Sequence, residues 1–383
     1  MDVPAQPGVG EQHDEELLNL LTSDTNIYRD GGEGVYRAKL AIDTNLDEFA
    51  SLWTASFNDI ERQPIEAFCE VLLRGGKRLR GILAMQSYYA HGGDNSTVAL
   101  GAARVSEIAQ TYLLLIDDIQ DKSDVRRGGP SAHRLLGRQA LVSTLMHGDL
   151  DHYGEAQAIN AALAGMHRAD TELLNVPAHP DAILTALRQM HLRAETTAAG
   201  QMKDIYNQAS NVTPSPADIE DVLTKKTAYY TFVAPLELGA TLAGREGLDL
   251  DLLEYATAIG CAYQIADDLI GTFGDEASTG KSHNDDIREG KMTLLTQHAL
   301  SRAIDVQRKV LERVLGNNQS DNTACDEVRS IMIQTGARQY CEERLMHYRQ
   351  AAHVALERAK TSHDPNFITF LDQVISYASK RAA

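Results

Sequence analysis

Residues 105–121, VSEIAQTYLLLIDDIQD, join a helical apolar pattern to an acidic end. Apolar side chains recur there at spacings of three and four, the period of an amphipathic helix: Val105, Ile108, Ala109, Tyr112, Leu113 and Ile116. Asp117 and Asp118 follow directly, and Asp121 lies four residues after Asp117, so Asp117 and Asp121 should point the same way. The pattern predicts a buried helix ending in two parallel carboxylates, which repel each other unless cations bridge them.

The same helical period extends outward from this segment in both directions. It begins at Leu46, where Phe49, Trp53 and Phe57 follow at helical spacings, and it continues to the C-terminus. Further helices are predicted over 155–174, 181–208, 216–243, 249–272, 294–315, 321–357 and 366–381. No alternating strand pattern of useful length interrupts them. Residues 44–383 are therefore predicted to form one all-α domain, a single large helical bundle.

Acidic side chains dominate the charge of this 383-residue chain. Its net charge of −18 argues against general affinity for nucleic acid or anionic lipid. The acidic excess is strongest near the N-terminus, and residues 1–43 are predicted to be an acidic, mobile tail. The chain shows no signal peptide and no apolar run long enough to span a membrane, and its four cysteines are scattered. We therefore expect a cytoplasmic protein with reduced thiols.

A second acidic cluster follows another apolar run. Asp267 and Asp268 follow residues 259–265 after one alanine, with Asp275 seven residues beyond Asp268. Carboxylate oxygens suit Mg²⁺, which takes one or two of them and completes its shell with water and phosphate oxygens. The alternative for either cluster alone is an ordinary solvated helix end.

Basic side chains lie beside both acidic clusters. Residues 75–80, GGKRLR, offer a small-residue turn with three cations, and Arg126 and Arg127 follow the first cluster in a glycine-rich loop. Lys281 and Lys291, each after a glycine, bracket the acids Asp285, Asp286 and Glu289 near the second cluster. An acidic chain that places its cations beside its carboxylates is suited to a polyanionic substrate carried partly as its magnesium salt.

These motifs resemble, in the same order, those of the trans-prenyl (polyprenyl) diphosphate synthase family. They are GGKRLR at 75–80, DDIQD at 117–121 with RRGGPSAH at 126–133, GQMKD at 200–204, KTAYYTF at 226–232, and QIADDLIGTFGD at 264–275 with GK at 280–281. The resemblance implies the isoprenoid synthase fold, a helical bundle around a central apolar cavity, and a homodimer. It also implies condensation of isopentenyl diphosphate with an allylic diphosphate.

The resemblance assigns roles by position. The isopentenyl diphosphate would be held by Lys77, Arg80, Gln110 and Arg127, and the allylic diphosphate by Arg126, Lys226, Lys281 and Lys291. Three magnesium ions would bind among Asp117, Asp118, Asp121, Asp267 and Asp268. Thr227 and Gln264 would lie near the allylic carbons, so that these two and Lys226 form the catalytic group.

The sequence departs from the family pattern in a few places. Gln110 and Ile116 stand where many relatives have histidine, and Gly271 stands where many have a third acid, so metal binding at the second cluster would rest mainly on Asp267. In this family the residues four and five positions before the first aspartate form the floor of the product pocket. Leu113 and the single aromatic Tyr112 occupy them, which resembles geranylgeranyl synthases. The alternatives are a farnesyl or longer product, with Tyr112 an ordinary core residue.

Two other functions compete with this one. A class I terpene cyclase also uses an aspartate-rich motif and magnesium, but it needs no isopentenyl site, which GGKRLR at 75–80 would supply here. Such a cyclase releases hydrocarbon from an allylic diphosphate alone. A non-catalytic subunit of a heteromeric synthase tends to lose acids from the first cluster, whereas this chain keeps Asp117, Asp118 and Asp121.

Overall fold

The computed structural model describes residues 32–142, 147–274 and 283–380, and these are almost entirely helical. The helices are α1 Gly32–Ala55, α2 Asp59–Leu73, α3 Leu79–Ala90, α4 Ser96–Gln120, α5 Ala132–Val142, α6 Leu150–Leu174, α7 Pro180–Ala209, α8 Pro216–Val222, α9 Ala234–Leu242, α10 Leu250–Phe273, α11 Asp285–Glu289, α12 Leu294–Arg302, α13 Asp305–Val314, α14 Asn322–Gln334, α15 Ala337–Ala359 and α16 Pro365–Lys380. A π-helix, Leu223–Val233, joins α8 to α9. The predicted all-α class is confirmed.

A short hairpin contributes the strands of the described residues. Strands β1 Val125–Arg126 and β2 Gly129–Pro130 pair antiparallel, with Val125 opposite Pro130 and Arg126 opposite Gly129. The hairpin directly follows α4, which carries the first acidic cluster. Arg126 is thereby turned back toward the end of that helix, whereas Arg127 contacts the end of α2.

The first described helix begins earlier than the sequence indicated. Helix α1 starts at Gly32, so the predicted tail boundary at residue 43 falls inside it. Ala38, Ala41 and Ile42 are buried along one side. The predicted boundary followed the acidic excess near the N-terminus and missed the apolar side of this helix.

The chain divides into two compact units, each with its own core. The first comprises Met1–Leu187 and Leu238–Glu246. In it α4 packs against α3 and α6, and α5 packs against α6. Phe68 of α2 is completely buried and meets Trp53 of α1 edge to face, with ring centroids 5.2 Å apart. Helix α4 is thus held in the core of this unit, with its acidic end at one tip.

The second unit comprises Arg188–Glu237 and Gly247–Ala383. Its central element is α10, which packs against α15 and the π-helix. Tyr255 of α10 is fully buried and donates its hydroxyl to the carbonyl of Leu371 at 2.8 Å, which satisfies a polar group inside this core. The single domain over 44–383 and its central cavity stay predictions.

Two further expectations concern the whole chain. All four cysteines are buried, and none forms a disulfide, which agrees with the reduced thiols expected from the sequence. No described helix combines the length and the hydropathy that crossing a membrane requires.

Candidate active site

The first acidic cluster ends α4, and its three carboxylates have different surroundings. Asn95 caps the start of this helix by accepting from the backbone N–H of Thr97, and the backbone N–H of Asp121 closes the last turn onto the carbonyl of Asp117 at 2.8 Å. Asp118 is completely buried, whereas Asp117 and Asp121 are half-buried. The two carboxylates predicted to share one side are therefore the more accessible ones.

Arg126 of the hairpin pairs with this cluster. Its Nε donates to Oδ1 of Asp118 at 2.7 Å, and its Nη2 lies 3.5 Å from Oδ2 of Asp117. A buried carboxylate needs such a partner, because an unpaired charge in the interior is costly. Asp118 thus holds a guanidinium of the hairpin at the acidic end of α4, and its predicted role as a metal ligand stays a prediction.

The hairpin itself is held by α2. Arg74, the residue after α2, donates from Nη1 to the carbonyls of Pro130 and Arg126, one on each strand. Arg127 at the turn has a left-handed backbone, with φ of 52°, and is followed by Gly128 with φ of 73°. Non-glycine residues adopt this conformation rarely, and they do so often at functional sites.

Arg127 reaches the loop that carries GGKRLR. Its Nη1 donates to the carbonyl of Val71 at 2.9 Å and to that of Leu72 at 3.3 Å. A side chain placed at Gly76 would begin 3.7 Å from the Arg127 guanidinium carbon. The structure therefore brings together two segments that the sequence assigned to the isopentenyl diphosphate, although they lie about fifty residues apart.

The other residues assigned to that diphosphate lie in the same unit. Lys77 is exposed in the loop before α3, Arg80 is half-buried in the first turn of α3, and Gln110 is half-buried on α4. Arg78, the middle cation of GGKRLR, is buried and hydrogen-bonded to protein groups. The sequence grouped it with the cations suited to phosphate, but its side chain is not accessible to a substrate. Tyr112 is buried on α4 and Leu113 is half-buried beside it.

In the second unit, the second acidic cluster ends α10. Asp268 Oδ1 accepts from Nε2 of Gln264 at 2.8 Å, and Oε1 of Gln264 accepts from the hydroxyl of Thr227 at 3.0 Å. This chain of hydrogen bonds fixes the amide orientation of Gln264. Burial, together with the negative charge of Asp286, raises the pKa of Asp268 to about 7. Asp267 is half-buried one position earlier.

The π-helix presents the predicted catalytic residues Lys226 and Thr227. Nζ of Lys226 pairs with Asp204 of α7 at 2.8 Å. Two glycines of neighbouring helices allow close approach to the π-helix. A Cβ at Gly200 would lie 2.6 Å from the backbone nitrogen of Lys226, and a Cβ at Gly260 would lie 2.5 Å from the Cβ of Ala228. Single π-turns recur at functional sites, where they re-aim side chains. The sequence predicted an unbroken helix over 216–243 and missed this segment.

Gly260→Ala is expected to destabilise the second unit, because the added methyl group overlaps the π-helix. Overpacking of this kind costs about 1–3 kcal/mol, measurable as the free energy of unfolding in denaturant. Thr257→Ala, on the same helix and half-buried, serves as the control and should change stability much less. Equal free energies of unfolding for wild type and Gly260→Ala would mean that a methyl group at position 260 fits without displacing the π-helix.

Gly271 of α10, where many relatives have an acid, is packed against a carboxylate from α11. A Cβ at this position would overlap with Oδ2 of Asp286. Nζ of Lys291, predicted to bind the allylic diphosphate, lies 3.1 Å from Asp286 and 2.9 Å from Glu289. Lys281 and Asp275 lie outside the described residues.

The carboxylates have the chemistry that magnesium requires. Within residues 32–142, 147–274 and 283–380, no group of three or more His, Cys, Asp or Glu side chains converges as a complete metal site. Mg²⁺ does not need one, because it binds through one or two carboxylates and takes its other ligands from water and substrate phosphates. Asp117 and Asp121 on one side of α4, and Asp267 on α10, fit this mode.

Comparison with known proteins identifies the family. The polyprenyl synthetase family model matches residues 62–332, which is more than half of the chain. The chain belongs to the polyprenyl synthetase family. The family resemblance predicted from the motifs is therefore confirmed, and so is the enzyme class, a prenyltransferase.

Individual relatives agree with this family. A geranylgeranyl diphosphate synthase of Sulfolobus acidocaldarius is 30% identical over 284 residues, which cover 72% of this chain and 81% of the relative. A short chain isoprenyl diphosphate synthase of Methanothermobacter thermautotrophicus is 31% identical over 288 residues, which cover 74% of this chain and 81% of the relative.

A solved structure supports the fold. The geranylgeranyl pyrophosphate synthase of Corynebacterium glutamicum, complexed with isoprenyl diphosphate and magnesium, has a TM-score of 0.83 and 27% identity to this chain. The match covers 90% of this chain and 99% of that one. The predicted isoprenoid synthase fold is thereby confirmed.

Proposed function

We propose that this polyprenyl synthetase condenses isopentenyl diphosphate with an allylic diphosphate and that its main product is geranylgeranyl diphosphate. The observation that carries the proposal is the approach of Arg127 to Gly76, which assembles a cationic site from two distant segments. A terpene cyclase needs no such second diphosphate site. The geranylgeranyl synthases among the relatives support the choice of product.

Lys77, Arg80, Gln110 and Arg127 are proposed to bind the isopentenyl diphosphate. Arginine grips phosphate oxygens with paired donors in a fixed plane, and lysine adds a mobile point charge. Gln110 replaces the more common histidine as a neutral hydrogen-bond donor. Because the double bond of this substrate is the nucleophile, the residues that hold its diphosphate determine where that bond lies.

We propose that the remaining cations bind the allylic diphosphate: Arg126, Lys226, Lys281 and Lys291. Magnesium ions held by Asp117, Asp121 and Asp267 are proposed to bind the same diphosphate. We propose three ions, with Asp118 and Asp268 supporting the primary ligands through Arg126 and Gln264. When bound, magnesium supplies positive charge that stabilises the diphosphate as it leaves.

The protein groups act on both ends of the breaking bond. Cleavage of the allylic C–O bond leaves a carbocation and a diphosphate, and Arg126 and Lys226 stabilise the negative charge that develops on the diphosphate. The isopentenyl double bond then attacks the carbocation, and loss of a proton gives a product five carbons longer. The hydroxyl of Thr227 and the amide of Gln264, held together at 3.0 Å, are proposed to face the allylic carbons.

Tyr112→Ala is expected to lengthen the main product, because it removes a buried ring from the proposed floor of the product pocket. Chromatography of the dephosphorylated products measures this change. Tyr88→Ala is a matched control, since Tyr88 is a buried tyrosine of α3 with no proposed contact to the product. It should lower the melting temperature and leave product length unchanged. An unchanged product distribution in Tyr112→Ala would show that Tyr112 is an ordinary core residue.

A primer series tests the proposed product directly. The purified chain is incubated with magnesium, isopentenyl diphosphate and, in turn, dimethylallyl, geranyl or farnesyl diphosphate. The proposal predicts geranylgeranyl diphosphate as the common end product. Accumulation of farnesyl diphosphate, or elongation well beyond twenty carbons, would contradict the proposed chain length while leaving the reaction type intact.

A homodimer and a cytoplasmic location are proposed from the sequence and the family alone. Light scattering of the purified chain tests the first of these. A mass of twice 42.0 kDa is expected, and a monomer at micromolar concentration would contradict it.

A further inference from the structure

Arg78 stands inside the proposed isopentenyl diphosphate loop, but its environment differs from that of its neighbours. It is the residue before α3, with a left-handed backbone of φ 51°. Only 3% of its surface is exposed, whereas Lys77 is exposed and Arg80 is half-buried. A side chain that binds a substrate phosphate must be accessible to it, so the buried Arg78 side chain has a different role.

Arg78 is bonded through its whole guanidinium to three parts of the first unit. Nε donates to Oδ1 of Asp43 on α1 at 2.6 Å, and Nη1 donates to the carbonyl of Leu72 at 2.7 Å. Nη1 also lies 3.4 Å from Oε2 of Glu107 on α4. Both Arg78 and Glu107 have side chains about 1% exposed, so their charges are fully inside the protein. A buried pair of this kind is tolerated only when its geometry is well satisfied.

The carbonyl of Leu72 links Arg78 to Arg127. Arg78 Nη1 and Arg127 Nη1 both donate to this oxygen, at 2.7 Å and 3.3 Å. The two guanidiniums therefore meet at the end of α2, one from the GGKRLR loop and one from the hairpin. The positions of both guanidiniums are therefore tied to the same backbone oxygen.

Glu107 connects the same loop to α4. Its Oε1 accepts from the backbone N–H of Gly81 at 3.0 Å, in the first turn of α3, while its Oε2 faces Arg78. Gln110 lies three residues further along α4, on the next turn of the helix. One carboxylate thus ties the backbone beside Arg80 to the helix that carries Gln110.

We infer that Arg78 and Glu107 are positioning residues of the isopentenyl diphosphate site, which they assemble from the GGKRLR loop, the hairpin and α4 without touching the substrate themselves. The inference rests on the proposed function. It predicts that damage to this pair weakens isopentenyl diphosphate binding and leaves allylic diphosphate binding intact. A merely structural pair would instead lower stability and affect both substrates alike.

The test compares Arg78→Lys and Glu107→Gln with wild type. Lysine keeps the charge but lacks the forked donors, and glutamine keeps the shape but lacks the charge. KM for each substrate, kcat and the melting temperature are measured. Loss of one charge-assisted contact lowers an affinity by about tenfold, so KM for isopentenyl diphosphate should rise about tenfold in each variant. KM for farnesyl diphosphate should stay within about twofold of the wild-type value.

Arg104→Lys is the matched control. Arg104 of α4 donates to Asn45 at 3.0 Å and pairs with Glu172 at 2.8 Å in the same unit, and neither partner belongs to the GGKRLR loop. It should lower the melting temperature without changing either KM. If Arg78→Lys does not fold, the nearly isosteric Glu107→Gln decides. An unchanged KM for isopentenyl diphosphate in that variant, or an equal rise for both substrates, overturns the inference. A wild type that does not incorporate isopentenyl diphosphate refutes the proposed function instead.

Discussion

Asp117→Ala is expected to lower kcat for condensation by about a thousandfold while the protein keeps its helical fold. Asp117 is half-buried at the end of α4, and its Oδ2 lies 3.5 Å from Nη2 of Arg126. Removing its carboxylate also relieves repulsion from Asp118 and Asp121, so stability should not fall. Turnover with magnesium, isopentenyl diphosphate and farnesyl diphosphate measures the loss, and circular dichroism during heating measures the fold.

Asp124→Ala is the control for this substitution. Asp124 is exposed three residues beyond the motif, where it pairs with Arg134 at 2.6 Å. Its removal should leave kcat within about twofold, since exposed ion pairs contribute little. Retained activity in Asp117→Ala would show that Asp117 is not a required magnesium ligand. Loss of structure in that variant would show that Asp117 supports the fold.

Lys226→Met is expected to lower kcat by about a hundredfold, because one donor to the developing charge on the diphosphate is lost. Methionine keeps much of the length of the lysine side chain, so packing in the π-helix is preserved. The adjacent Lys225 provides an unusually close control. Lys225 is more exposed than Lys226 and pairs with Asp221 at 2.9 Å, whereas Lys226 pairs with Asp204. Steady-state kinetics of both variants make the comparison.

Lys225→Met should keep nearly full activity. The result that contradicts the assignment is an equal loss in the two variants, which would indicate that the π-helix needs positive charge in general. A normal kcat in Lys226→Met would mean that Lys226 serves only its ion pair with Asp204, at 2.8 Å, and does not stabilise the diphosphate. Only the predicted difference between the neighbours supports a direct role for Lys226.

The sequence allowed strong predictions where the pattern was periodic or the spacing local. The apolar period before Asp117 predicted α4, and the four-residue spacing predicted that Asp117 and Asp121, rather than Asp118, would point the same way. The order of the motifs predicted the family and the all-α fold. These features depend on helix geometry and neighbouring residues, which a sequence contains directly.

Features that depend on distant contacts were missed. Arg78 reads as one more phosphate-binding cation, and only its contacts with Asp43, Leu72 and Glu107 show that it is buried. Glu107 offered a signal, since it is a lone acid within the apolar pattern of a core helix and so needed a buried partner. The arrival of Arg127 at the same carbonyl depends on the hairpin turn and could not be deduced from spacing.

The π-helix was also invisible to periodicity analysis. It packs closely against Gly200 and Gly260, which lie on other helices and at a distance in the sequence. Gly271 has a similar explanation: its missing acid was noticed in the sequence, but the carboxylate of Asp286 that fills the space comes from α11. In both cases the identity of a glycine was visible, whereas its neighbour was not.

Incubation with an allylic diphosphate, with and without the second substrate, tests the central claim most directly. The purified chain receives magnesium and farnesyl diphosphate, and the products are analysed before and after labelled isopentenyl diphosphate is added. The synthase account predicts that farnesyl diphosphate alone stays intact and that the addition converts it to labelled geranylgeranyl diphosphate. Release of hydrocarbon from farnesyl diphosphate alone, with no label incorporated later, would contradict it.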